Sequence, residues 1–372
     1  MSNRIGIIGY DYVEFYVGSA KVWAYWHAKA MGFEIKGYLG PETGIKDKVS
    51  YYLVKNKLQI IVTSAVKPNN FEIQAFVSNH GDGVKRWALK VENVKTAFEN
   101  ALRNGAIPIK NLKKISDESG FVEEAAIKLY DDTEIVLTNR DNYNGIFKPG
   151  FGKPRQNIEL KNEDTGLNEI DHIVGNVRVN EMNHWEEYFN KSLNFETFIE
   201  FGAGDISTQY SALLSKVVRS KEGAPVKNPL NEPYEGLKKS QIEEYIDEYN
   251  GTGVQHIALS TNNILKTIKA MKENGVEFLV PPDTYYDLLR KKNIKIDENI
   301  DELKELGILC DDSEGTGYLL QLFTKPIGDR PTFFYEIIQR KRGALGFGQG
   351  NFQSLFESIE KDQMLRGNFD KE

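Results

Sequence analysis

The sequence predicts an α+β protein of two barrel-like domains, each assembled from paired modules in which one helix alternates with several strands. Three observations carry that prediction. The chain has 372 residues, too many for one ordinary core and suited to two at roughly 100–200 residues per domain. A run rich in Gly, Pro, Asn and Lys from Asp141 to about Asn168, containing GIFKPGFGKPR, has no sustained period and reads as a linker, giving domains 1–155 and 156–372. The two sides of that linker also repeat each other.

The first repeat sets VEFYVGSAKVWAYWHAKAMGFE, from Val13, against IDHIVGNVRVNEMNHWEEYFNKSLNFE, from Ile170. Each is a short strand, a turn, and a helix that stops before an aromatic residue followed by Glu. The second sets GDGVKRWALKVENVKTAFENALRNGAI, from Gly81, against GTGVQHIALSTNNILKTIKAMKENGVEF, from Gly251. Each reads as a turn, an alternating strand, an Asn at the helix start, an amphipathic helix and a Gly. Duplication is the expected origin. In this alignment Phe15 faces His172 and Arg86 faces His256; anchoring on Arg140 and Arg340 sets Val136 against Glu336, with Glu134 as the alternative. The would-be ligands lie in the second half, so chemistry is expected in the carboxy-terminal domain. The charged run from Arg290 to Glu305 reads as a solvated helix face. Near the end, GFGQGNF has G-x-G-x-G spacing and no surrounding βαβ unit, which argues against a nucleotide loop. It instead introduces a helix, with Asn351 as cap and Phe352, Leu355, Phe356 and Ile359 along one face.

Composition narrows the function classes. Hydrophobic residues make up 40% and charged residues 27%, as in globular proteins. The longest apolar runs, such as LQIIV from Leu58, are strand-sized and exclude a helical membrane span. Residues 1–10 lack the features of a signal peptide, so a cytoplasmic location is expected. A single cysteine, Cys310, excludes a disulfide framework and a multi-thiolate metal site. With a net charge of −7 and no dense basic tract, nucleic acid is not an expected partner.

The five histidines are His27, His80, His172, His184 and His256. His27 falls in an amphipathic helix, His80 in the turn NHGDG and His184 at the opening of a helix, and all three read as structural. His172 and His256 are flanked by strand-forming residues and can project into a barrel interior. Glu336, in PTFFYEIIQR, interrupts an apolar β-prone run. Burying an unpaired carboxylate costs on the order of several kcal/mol, so such a residue is expected to meet a cation or a metal. Two imidazoles and a carboxylate leave half an octahedron open, the facial arrangement of non-haem Fe(II) oxygenases. A lone buried histidine is more often a satisfied core residue, and the spacing of these three carries no metal signature, so both readings stay open from the residues alone.

The strings DHIVGNV, PLNEP with KKSQIEEY, GTGVQHIAL, GYLLQLFTKPIGDRPTFFYEIIQR and GFGQGNFQSLFESIEKDQ closely resemble motifs of the 4-hydroxyphenylpyruvate dioxygenase family, of the vicinal-oxygen-chelate superfamily. Weaker likeness in VEFYVGSAKVWAYWHAKAMGF and HGDGVKRWALKV extends the resemblance over nearly the whole chain. It implies paired βαβββ modules of the glyoxalase/bleomycin-resistance kind and one Fe(II) per chain on His172, His256 and Glu336. It also implies Ser215, Asn231, Gln241, Gln255 and Gln321 as the polar catalytic set around the substrate. Phe323, Phe334, Phe347 and Phe352 would form the aromatic walls, with Asn351 beside them, and the terminal helix would be a lid hinged on its glycines. The implied reaction converts 4-hydroxyphenylpyruvate and dioxygen to homogentisate and carbon dioxide, by oxidative decarboxylation, ring hydroxylation and side-chain migration in tyrosine catabolism. A 4-hydroxymandelate synthase shares the triad and substrate, but Phe323 and Asn231 favour the dioxygenase; a metal-free ligand-binding relative is disfavoured by the intact triad. A homo-oligomer, dimer or tetramer, is expected, with the ligand-free first half available for assembly contacts.

Overall fold

The computed structural model describes residues 4–154, 163–202, 204–205, 207–208, 210–292, 294–312 and 317–369; the expected domain boundary at 155/156 lies outside them. The first half runs β1 (Ile7–Tyr16), α1 (Ala20–Ala30), β2 (Glu34–Leu39), β3 (Lys48–Lys55), β4 (Leu58–Ala65), α2 (Phe71–His80), β5 (Gly83–Val91), α3 (Val94–Arg103), β6 (Pro108–Asp117), β7 (Gly120–Leu129) and β8 (Thr133–Asn139). The second runs β9 (Leu167–Asn176), α4 (Met182–Ser192), β10 (Phe195–Phe201), β11 (Ala212–Ser220), β12 (Lys227–Tyr234), α5 (Gln241–Tyr249) and β13 (Gly253–Thr261). It continues through α6 (Ile264–Glu273), α7 (Asp283–Lys291), α8 (Ile300–Leu306), β14 (Leu309–Asp311), β15 (Tyr318–Phe323), β16 (Phe334–Lys341) and α9 (Phe352–Arg366).

Each half is two βαβββ modules joined edge to edge in one curled eight-stranded sheet. The strand orders are β2-β3-β4-β1-β5-β8-β7-β6 and β10-β11-β12-β9-β13-β16-β15-β14, the same topology twice. The helices opening the paired modules start alike: the Asn93 side chain accepts from Thr96 N–H, and Asn263 from Lys266 N–H, satisfying donors that a helix start leaves free. The hydrophobic core runs through both sheets. Across the seam Phe15 meets Phe333 edge-on at 4.9 Å and Trp87 stacks over Phe189 at 6.4 Å. Among the described residues no helix is long and apolar enough to cross a membrane.

Ladder register corrects the alignment of the first repeat. Val13 pairs with Trp87 and Tyr10 with Leu89, while Ile173 pairs with Ile257 and Ile170 with Leu259. The counterpart of His172 is therefore Tyr12, not Phe15. The turn from strand to helix spans 177–181 in the second half and 17–19 in the first, and matching from the strand starts pushes the difference back into the strand. Arg86 remains the counterpart of His256. Val136 is that of Glu336, since Ala88 pairs with Val136 and Ala258 with Glu336. His80 closes α2 rather than sitting in a turn; its Nδ1 lies 2.7 Å from the Tyr249 carbonyl, so it joins the two halves. The charged run after Arg290 is not one helix face but is divided between the end of α7 and α8, with Arg290 paired to Asp287 and Asp301.

Candidate metal centre and substrate cavity

Strands β9, β13 and β16 are neighbours, and each presents one ligand-type side chain to the sheet's concave face: His172, His256 and Glu336. Their donor atoms all lie within 4.8 Å of one another. Nε2 of His172 is 3.1 Å, and Nε2 of His256 3.4 Å, from Oε2 of Glu336. All three are buried, with Glu336 only 3% exposed. Burial alone would raise the Glu336 carboxyl, but the two imidazoles bring it down to about 2. Burial likewise opposes charge on His172, yet Glu336 and Asp171 together raise it, whereas burial prevails at His256 and lowers it. Each ring is tied back through Nδ1, to Asp171 at 2.8 Å and to Gln255 at 2.9 Å. That turns both Nε2 atoms toward the carboxylate. Two nitrogens and an oxygen converging in a buried site fit a divalent transition metal, with coordination positions left for ligands from the cavity.

Above the triad lies a cavity walled mainly by apolar and aromatic side chains with a few polar groups converging on it, the make-up of small-molecule sites. Strand alternation lines it in pairs: His172 with Val174, Gln321 with Phe323, Phe334 with Glu336, Pro229 with Asn231. Ser215 sits directly opposite Asn231 across β11 and β12, and Asn231 Nδ2 donates to Asn176 Oδ1 at 3.4 Å. Gln241, at the start of α5, and Gln255 also line the cavity, as do Phe347 and Phe352. Phe334 stacks on His256 at 4.9 Å, and Phe347 meets His172 edge-on at 5.0 Å. Both amide atoms of buried Gln321 lack a hydrogen-bond partner in the protein. The structure thus brings together every expected site residue but one.

Asn351 is the exception. It does not line the cavity; its Oδ1 accepts from the Tyr285 hydroxyl at 2.8 Å. Nor does it cap α9, because its backbone is helical (φ −102°, ψ −9°) where a capping side chain needs an extended one. A 3₁₀ turn over Gln349–Asn351 runs straight into the helix. Helix α9 itself lies over the cavity with Phe352, Leu355 and Phe356 facing in. It is held at two places: Glu360 accepts from the hydroxyls of Thr208 (2.6 Å) and Ser211 (2.7 Å), and Arg366 Nη2 reaches both carboxylate oxygens of Glu244 at 2.7 and 2.9 Å. Gly348, at φ +78°, has a backbone conformation that side chains rarely adopt, and a Cβ there would press on the Gln321 amide. Reading the sequence missed Phe201, Leu213, Val217 and Pro229, which look like ordinary core residues. Period two would have found Leu213 and Val217, since they flank Ser215 at i−2 and i+2.

Comparison with known proteins agrees with this geometry. The model of the Glyoxalase/Bleomycin resistance protein/Dioxygenase superfamily matches residues 169–297. The chain is 43% identical over 378 residues to 4-hydroxyphenylpyruvate dioxygenase of Coccidioides posadasii, covering 96% of this chain and 94% of that one. It is 44% identical to the enzymes of that name from Yarrowia lipolytica and Xenopus tropicalis, each match covering 97% of this chain and 93% of the other. Among solved structures, a triple mutant of 4-hydroxymandelate synthase from Streptomyces coelicolor superposes with a TM-score of 0.82 at 25% identity, over 96% of this chain and 99% of that one. A xylose isomerase-like TIM barrel/4-hydroxyphenylpyruvate dioxygenase fusion protein shares the fold, with a TM-score of 0.74 at 23% identity over 95% of this chain and 53% of that one.

Proposed function

The chain belongs to the 4-hydroxyphenylpyruvate dioxygenase family, and from that premise we propose that it converts 4-hydroxyphenylpyruvate and dioxygen to homogentisate and carbon dioxide on one Fe(II) held by His172, His256 and Glu336. The observation that carries this reading is the buried triad at the floor of an aromatic-walled cavity. Bound there, Fe(II) supplies a Lewis-acidic, redox-active centre for a 2-oxo acid and dioxygen. No lysine or arginine is among the described residues lining the cavity. A dication balanced by one carboxylate leaves net positive charge, and that is the attraction available to an anionic 2-oxo acid.

The protein's part is orientation and exclusion of water. Phe323, Phe334, Phe347 and Phe352 offer the faces and edges a phenol ring packs against. Gln321 carries unpartnered donors and an acceptor for substrate oxygens, and Asn231, Ser215, Gln241 and Gln255 surround the remaining polar side. With α9 closed, Phe352 and Phe356 shut the mouth and keep water from a reaction that reactive intermediates would otherwise leave. In the same proposal residues 1–155 brace the catalytic residues 156–372, and the protein works in the cytoplasm as a homo-oligomer, dimer or tetramer.

The test is the aromatic product. Purified protein loaded with Fe(II) without oxygen, then given 4-hydroxyphenylpyruvate and air, should yield homogentisate by mass-resolved chromatography. A yield of 4-hydroxymandelate would make the likeness to the synthase one of function as well as fold, and no product with iron bound would reject the substrate.

A further inference from the structure

Each imidazole of the triad follows a residue held in a β-bulge. Along β9 the ladder to β13 passes from His172 opposite Ala258 to Ile170 opposite Leu259, so Asp171 has no opposite residue. Along β13 it passes from Val254 opposite Gly175 to His256 opposite Val174, so Gln255 has none. A regular strand sends adjacent side chains to opposite faces, and a bulge re-aims them. Asp171 Oδ1 can therefore accept from His172 Nδ1–H at 2.8 Å, and Gln255 Oε1 from His256 Nδ1–H at 2.9 Å. The two acceptors are unlike. Gln255 is a neutral amide, whereas Asp171 is a carboxylate fixed by Arg340, through Nε at 2.7 Å and Nη2 at 2.8 Å.

The first half keeps this scaffold without a triad. Its β1 ladder skips a residue between Tyr10 and Val13, and Arg140 grips Asp11 there through Nε at 2.9 Å and Nη2 at 2.6 Å. Phe147 meets Tyr12 edge-on at 5.1 Å, as Phe347 meets His172 at 5.0 Å. A second skip, between Arg86 and Val84 on β5, leaves Lys85 where the second half has Gln255. The Asp–Arg couple thus belongs to the duplicated fold, and only the second half sets an imidazole against it.

We propose that Asp171 and Gln255 are positioning residues for the metal ligands, the anionic Asp171 making His172 the more strongly oriented and more basic donor. This rests on the reading of His172, His256 and Glu336 as a metal site. Holding the proton on Nδ1 leaves each Nε2 lone pair free for the metal, and such outer partners typically carry about 10–100-fold in metal affinity.

Cobalt(II), followed by its visible absorption, is the probe, with thermal unfolding measured alongside on the full chain. Asp171→Asn should weaken cobalt binding about 10–100-fold and shift the bands. Asp11→Asn, which breaks the equivalent couple, should lower the unfolding temperature and leave cobalt affinity and spectrum unchanged. Gln255→Leu should weaken binding by less than Asp171→Asn, and it carries the test if Asp171→Asn does not fold. Cobalt affinity within twofold of wild type in both Asp171→Asn and Gln255→Leu would overturn the proposal, as would an equal loss in Asp11→Asn. A wild-type protein that binds no cobalt would instead reject the metal site itself.

Discussion

Glu336 is nearly sealed from solvent yet stays ionised because two imidazoles face it. Glu336→Gln removes the only negative charge among the three donors, so metal affinity and turnover should both fall by orders of magnitude. Near-normal turnover at full metal occupancy would contradict the assignment. Buried His27 stays neutral where Glu336 stays charged. Burial pushes His27 down to about 4, and its neutral ring donates from Nδ1 to the Trp23 carbonyl and accepts at Nε2 from the Tyr335 hydroxyl, each at 2.8 Å. Unfolded, the same group titrates near 6.5, so between pH 6.5 and 4 the unfolded chain binds the extra proton. Stability is whole above that window and declines as pH falls through it, by about 3 kcal/mol at the bottom. Unfolding temperatures from pH 7 to 4.5 should drop less steeply in His27→Asn, and equal slopes would show that His27 is not the group responsible. At this scale the sequence was legible where a residue type clashed with its surroundings: Glu336 in an apolar strand, His172 and His256 in strand contexts. Asp171 was not legible, because an acid before a strand histidine reads as the solvent face of an alternating pattern, and only the bulge turns it inward.

Helices and strands were legible by period, and their ends less so. The apolar spacing of α9 gave the helix and its buried face, but the Asn351 cap failed, because whether an Asn caps depends on a backbone conformation that the residue type does not fix. What holds α9 down was also hidden, since Glu244 and Arg366 are 122 residues apart. Glu244 has a side chain 4% exposed, and burial raises its carboxyl despite Arg366 beside it. Arg366→Ala leaves that carboxylate without its main partner, at a cost of about 1–3 kcal/mol borne by the closed position of the helix. Hydrogen exchange in 352–366 should quicken about tenfold or more, with the Michaelis constant for substrate rising while the strands under the triad stay protected. Unchanged exchange in 352–366 would mean that Glu360, with Thr208 and Ser211, holds the lid unaided.

Across the whole molecule the duplication was legible because turn, strand and helix recur in order on both sides of a linker, whereas the single core joining the two sheets was not, since nothing in a repeat says which faces meet. The halves also differ in what fills them. Where the second half gathers two imidazoles and a carboxylate under a cavity, the first buries Arg86 between Glu14 (2.6 Å) and Glu134 (3.0 Å), with Lys85 and Lys110 also on Glu134. A guanidinium supplies internally the positive charge that the second half would take from a metal. Burial would raise Glu14, but Arg86 brings it down to about 2, so its contribution to stability is complete above about pH 4.5 and is lost as pH falls toward 2. Arg86→Met should leave the Glu14 carboxylate buried without its cation, while Glu134 keeps Lys85 and Lys110, at a cost of about 3–5 kcal/mol at neutral pH. Because the core runs through both sheets, the loss should appear as one unfolding transition at lower temperature, with metal content unchanged while the protein is folded. The variant should also lose less stability than wild type between pH 4.5 and 2, since its Glu14 no longer has a depressed pKa to give up. Two separate transitions, with only the first moving, would show instead that the halves unfold independently and that the shared core does not couple them.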